Sequence, residues 1–86
     1  MLTDKTGEAA TRDLEAWAGR IASQVDTGVG VGVTYEAESH MFILRLIKGP
    51  RILIFRLSET QVHNPEREAE CERTLLRKIK DLWNLL

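Results

Sequence analysis

Residues 40–58 read HMFILRLIKGPRILIFRLS, the pattern of two strands folded back on each other through Lys48-Gly49-Pro50-Arg51. With Gly49 and Pro50 as the turn, Lys48 stands opposite Arg51, and side chains sort into two faces by parity. One face receives Phe42 opposite Leu57, Leu44 opposite Phe55 and Leu46 opposite Leu53. Those six side chains carry no polar atom, so this face is the expected core. The other receives Met41, Ile43, Arg45 and Ile47 from one strand and Ile52, Ile54, Arg56 and Ser58 from the next. Burying one isoleucine is worth roughly 1.5 to 3 kcal/mol, so this second face is expected to be covered by something. A Gly-Pro pair matches neither common two-residue hairpin turn, which leaves room for a longer loop starting at Lys48.

Upstream, the alternation of Val29, Val31, Val33 and Tyr35 with Gly30, Gly32, Thr34 and Glu36 has period two and predicts a further strand. A turn near Glu38-Ser39 pairs Tyr35 with Phe42, Val33 with Leu44 and Val31 with Leu46, so the valines join the core face and the sheet order is 1-2-3. The other side of this strand is nearly bare. Gly32 falls opposite Arg45, where a guanidinium can lie flat or a partner can approach closely.

Two helices flank the strands. Ala10, Leu14, Trp17, Ala18, Ile21, Ala22 and Val25 recur at steps of three and four, predicting a helix over 8–25 that stops at Thr27-Gly28. Asn64-Pro65-Glu66 supplies a cap, a proline and an acid, predicting a second helix over 65–85. Its apolar stripe is Leu75, Leu76, Ile79, Leu82, Trp83 and Leu86; continued backward it meets Glu72 and Glu68, so the first half is expected to overhang the sheet. Acids lead and bases follow along it, complementing the helix dipole. Residues 58–63 read as a polar connection, and 1–7 as a polar segment expected to fray, with Asp4 or Thr6 as candidate caps.

The expected fold is therefore α+β, ordered α-β-β-β-α: a three-stranded antiparallel meander with two helices packed on one face, the alternative being one helix on each. At 86 residues the chain (1–86) is one domain. Its 43% hydrophobic and 29% charged residues are ordinary for a soluble globular protein. A net charge of −1 offers no overall attraction to nucleic acid or an anionic membrane. No apolar run reaches the ~20 residues of a membrane span. Asp4 and Glu8 stand where a signal peptide would be basic and then apolar. A cytoplasmic location is expected.

No catalytic constellation emerges. Ser58, Glu59 and His63 lie close in sequence but lack the elbow or oxyanion signature that a serine nucleophile needs. His40 and His63, with Cys71 the lone cysteine, make no metal-ligand pattern and no disulfide. Cys71 reads as packing beside the apolar stripe. The run Gly28-Val29-Gly30-Val31-Gly32 follows a helix and enters a strand, the reverse of a dinucleotide fingerprint. No cofactor is expected, and no enzymatic activity.

The element order resembles that of double-stranded-RNA-binding domains. In that family the second helix opens on a basic cluster, where this chain has the mostly acidic Pro65-Glu66-Arg67-Glu68-Ala69-Glu70. The loop Ala37-Glu38-Ser39-His40 offers a histidine without the preceding Gly-Pro. The resemblance extends to topology, and RNA binding does not follow from it.

The expected function is a non-enzymatic interaction module that meets another protein, foremost a second copy of itself in a dimer, through Ile43, Arg45, Ile47, Ile52, Ile54 and Arg56. The alternative is nucleic-acid binding by Arg45, Arg51 and Arg56 together with Arg73, Arg77 and Lys80.

Overall fold

The computed structural model describes residues 2–84. A 3-10 turn at Gly7–Ala10 leads into α1 (Thr11–Val25), followed by β1 (Gly30–Glu36), β2 (Met41–Lys48) and β3 (Arg51–Ser58). A short α2 (Glu59–His63), a second 3-10 turn at Pro65–Arg67 and α3 (Glu68–Trp83) complete the chain. The sheet is an antiparallel meander in the order β1-β2-β3. Its register is the one the alternation predicts: Lys48 faces Arg51, Leu44 faces Phe55, and Tyr35 faces Phe42.

Parity then assigns the core. Phe42, Leu44, Leu46, Phe55, Leu57 and Val33 are buried in one cluster with Leu14, Trp17, Ala18 and Ile21 of α1 and Leu75, Ile79 and Leu82 of α3. α1 packs chiefly on β1, α3 on β3 and β2, and the two helices touch each other. Ile52 and Ile54 on the opposite face are each 57% exposed, a degree of access that a helix lying over them would abolish.

The turn closes in two residues, with Lys48 opposite Arg51 as the alternation requires, and not in the longer loop that the Gly-Pro pair left open. Gly49 has φ +59°. A type I′ turn needs positive φ at both central residues, which proline cannot adopt, whereas a type II′ turn needs it only at the first. The restriction that proline places on its predecessor acts largely through Cβ, which Gly49 lacks. At the other hairpin the loop of residues 37–40 ends on His40 at φ +53°.

Several expectations about the ends of elements are corrected. Residues 59–63 form a helix turn, not a polar connection. Ser58 Oγ accepts from the Gln61 N–H at 3.1 Å, and Gln61 Oε1 accepts from the Ser58 N–H at 2.9 Å, a reciprocal cap that starts α2 directly at the end of β3. Val62 is thereby buried. The segment before α1, expected to fray, is tied down: the Leu2 N–H donates to the Val62 carbonyl at 3.0 Å, and Thr3 Oγ1 to Asp13 at 2.7 Å. Thr6 occupies the cap position without a side-chain bond.

Val25 and Trp83 fall on the expected stripes but are 44% and 45% exposed, because each is the last residue of its helix and projects past the sheet. The Trp83 ring instead receives Lys48 Nζ at 4.5 Å, and the same ammonium pairs with Asp26 just after α1. Backward along α3 the buried stripe continues through Cys71, while Glu72 and Glu68 face water. Leu86 of the expected stripe and Leu85 of the expected helix lie outside the described residues.

Replacing Ser58 with alanine removes the side-chain half of the cap that joins β3 to α2. The expected cost is about 1 kcal/mol of unfolding free energy, read as a lower urea midpoint at unchanged slope.

Candidate interaction surface

The face opposite the helices is built by strict alternation on three strands. Ile47 stands opposite Ile52, Arg45 opposite Ile54 and Ile43 opposite Arg56. On the β1 side the same rows end in Gly30, Gly32 and Thr34. The result is lopsided: β3 carries a ridge of long side chains and β1 a nearly bare shelf.

All six residues singled out by sequence lie on this face. Ile52 and Ile54 on the outer strand are 57% exposed and Ile47 37%, whereas Ile43 and Arg45, flanked on both sides, are half-buried. Arg45 uses the shelf. A methyl group built on Gly32 would sit 2.8 Å from Arg45 Nη2 and 3.4 Å from its Cζ, so the guanidinium lies across the glycine backbone. Neither Arg45 nor Arg56 has a hydrogen bond or ion pair among the described residues. Among the described residues the one carboxylate on this face, Glu36, sits at its corner opposite Met41 and accepts from Ser39 Oγ at 2.7 Å.

The second basic cluster lies elsewhere. Arg73, Arg77 and Lys80 line a shallow depression of about 640 Å³ with Glu70, Thr74 and Leu76, all from α3. They point away from the sheet, so the domain carries them on the surface opposite Arg45 and Arg56.

Ser58, Glu59 and His63 are engaged separately. Ser58 caps α2, and the His63 Nε2–H donates to the Lys5 carbonyl at 2.6 Å. Glu59 is a hub that sequence reasoning missed. It accepts from the Gly7 N–H at 2.9 Å and from the Tyr35 hydroxyl at 2.8 Å, with His40 Nδ1 at 3.6 Å. Its partners come from positions 7, 35 and 40, and no local spacing signals such a group. Cys71 is 1% exposed, its thiol directed at the Gln61 carbonyl 4.0 Å away. Burial, with Glu70 and Glu68 nearby, pushes that thiol up.

No family model, no curated protein and no solved structure matches this chain. Among the described residues no helix is long and apolar enough to cross a membrane.

The Glu59 hub has a pH signature. The Gly7 N–H, then the Tyr35 hydroxyl, then the positive potential of His63 and His40 hold this carboxylate below its ordinary value. A folded value below the unfolded one adds stability above the ordinary glutamate range, and that stability is lost as pH falls through the lowered value. Asp26, held down first by its bond from Lys48, acts in the same direction. The wild type should therefore unfold at lower denaturant concentration on acidification below about pH 4.5, and Glu59→Gln should show a shallower dependence. Equal slopes would assign the acid sensitivity to Asp26 and the remaining carboxylates.

Proposed function

We propose that this chain is a non-enzymatic interaction module that associates with a second copy of itself through the Ile43, Arg45, Ile47, Ile52, Ile54 and Arg56 surface. The observation that carries this reading is the exposure of Ile52 and Ile54 beside two arginines without partners among the described residues, on a domain whose core is complete without them. A solvated face of a small antiparallel sheet ordinarily alternates polar side chains outward. Here isoleucine takes the places that threonine, lysine or glutamate would fill. Wet isoleucine is favoured at a surface that is dry in the functional state.

A second copy fits because the surface contains its own complement. Ile52, Ile54 and Arg56 line the outer strand, so a two-fold-related copy meets the same ridge in both directions. Arginine at such a surface also fixes orientation through its planar set of donors.

Nucleic-acid binding is less well served. Its two basic clusters lie on opposite surfaces of the domain and cannot grip one strand together, and of the strand aromatics Phe42 and Phe55 are buried while Tyr35 is half-buried with its ring against Phe42, so none is displayed for base stacking on the Arg45 and Arg56 face.

Light scattering on the wild type should give a dimer mass at tens of micromolar. Ile54→Asp should shift the mass to monomer and weaken association by about a hundredfold or more, since it places a carboxylate in an apolar contact. A variant that stays dimeric at low micromolar concentration sinks the assignment.

A further inference from the structure

A second copy can meet this surface in two ways, stacked face on face or side by side along a strand edge. The backbone decides between them. In an antiparallel ladder, hydrogen-bonded pairs alternate with pairs whose N–H and C=O groups point outward. A two-residue turn makes Lys48 and Arg51 a hydrogen-bonded pair, and the far end agrees in phase: the Glu59 N–H donates to the His40 carbonyl at 3.0 Å. Between these ends Leu53, Phe55 and Leu57 bond to β2. Ile52, Ile54, Arg56 and Ser58 turn their backbone groups to the open side of β3.

That edge has defined limits. The Ser58 N–H is already taken by Gln61 Oε1, and Pro50 before the strand has no N–H. What remains is Ile52, Ile54 and Arg56, with Ile54 at the centre. Of the usual defences the edge carries a single charge, Arg56, within the strand. No proline or lysine lies between Arg51 and Ser58, and the register with β2 runs without a bulge. The β1 edge is weaker as a template, with glycine at positions 30 and 32 and Gly7 packed against Tyr35 near its end.

Resting on the self-association reading, we infer that two copies pair β3 against β3 in antiparallel fashion about a two-fold axis at Ile54, joining two three-stranded sheets into one. Ile54 pairs with its own counterpart, and Ile52 with Arg56 of the other copy. Each of these pairs exchanges both of its backbone bonds. No neighbouring register does so well. Moving two residues one way sets Ile52 against the engaged Ser58, and moving two the other way sets Arg56 against Pro50. A slip by one turns the faces of the two sheets against each other.

Side chains agree with this arrangement. An Ile52–Arg56 pair across the seam repeats the Ile43–Arg56 and Arg45–Ile54 pairs within the sheet. On the helix side, half-buried Leu53 meets Phe55 of the other copy. A stack would instead carry Arg45 and Arg56 of both copies into a dry seam to which the described residues bring only Glu36 from each, a desolvation that is poorly repaid. Edge pairing leaves the guanidinia in water.

Amide hydrogen exchange, followed residue by residue by NMR together with the solution mass, tests this. In the dimer the N–H groups of Ile52, Ile54 and Arg56 should exchange about tenfold or more slowly than in a sample diluted to monomer. Ile54→Pro should abolish the dimer while leaving circular dichroism and a cooperative melt in place, because the lost N–H points out of the monomer. Ile43→Asp, on the central strand at the margin of the seam, should weaken the dimer far less than Ile54→Asp does. A wild-type dimer whose three edge amides exchange freely, or an Ile43→Asp dimer weakened as much as the Ile54→Asp one, overturns edge pairing while the self-association reading stands. A wild type that is monomeric at several hundred micromolar overturns both.

Discussion

The alternation of β2 is the constraint from which the rest of this molecule follows. As the central strand it is paired along both sides, so each of its side chains must point either toward the helices or away from them. Phe42, Leu44 and Leu46 point toward the helices and are fully buried. Ile43, Arg45 and Ile47 have no choice but the other side. The register that enforces this division is pinned by Gly49, whose positive φ lets the hairpin close in two residues. One extra residue at that turn would exchange the faces of β3 against β2, bringing arginine inward and phenylalanine out.

The parts legible in the sequence are those in which one period runs over a whole element. Both hairpin registers followed from alternation, as did the buried stripes of α1 and α3, and the placing of the six residues of the candidate surface needed nothing more. What was not legible rests on contacts between distant segments or on geometry at element ends. Val25 and Trp83 keep the helical period but lie beyond the sheet that would cover them. Glu59 gathers groups from three separate segments. The α2 turn was missed although its signature was present: Ser58 followed three residues later by Gln61 is the spacing of a capping box, obscured because Ser58 also ends a strand. The Gly-Pro turn left a longer loop open beside the two-residue one, because the restriction before proline was extended to a glycine that lacks the Cβ it partly acts through.

Electrostatics here fastens the periphery instead of building a centre. Lys48, Asp26 and Trp83 join the β2–β3 turn to the ends of both long helices. Glu59 and His63 fasten the segment before α1 to the helix turn after β3. These contacts sit at opposite ends of the sheet, where the apolar cluster thins and side chains meet water. Partly exposed ion pairs add little stability each. Their effect is on geometry, holding helix ends and the N-terminal segment against a core that hydrophobic burial has already formed.

The sealed position of Cys71 makes the native molecule its own reporter. Its sulfur lies beneath α2, and its surroundings disfavour the anionic form that thiol reagents attack. A small alkylating agent in the surrounding water can reach that atom only while the packing above it is momentarily parted. The pace of labelling then records how often the α2–α3 corner breathes, with no dye, tag or added residue to disturb it.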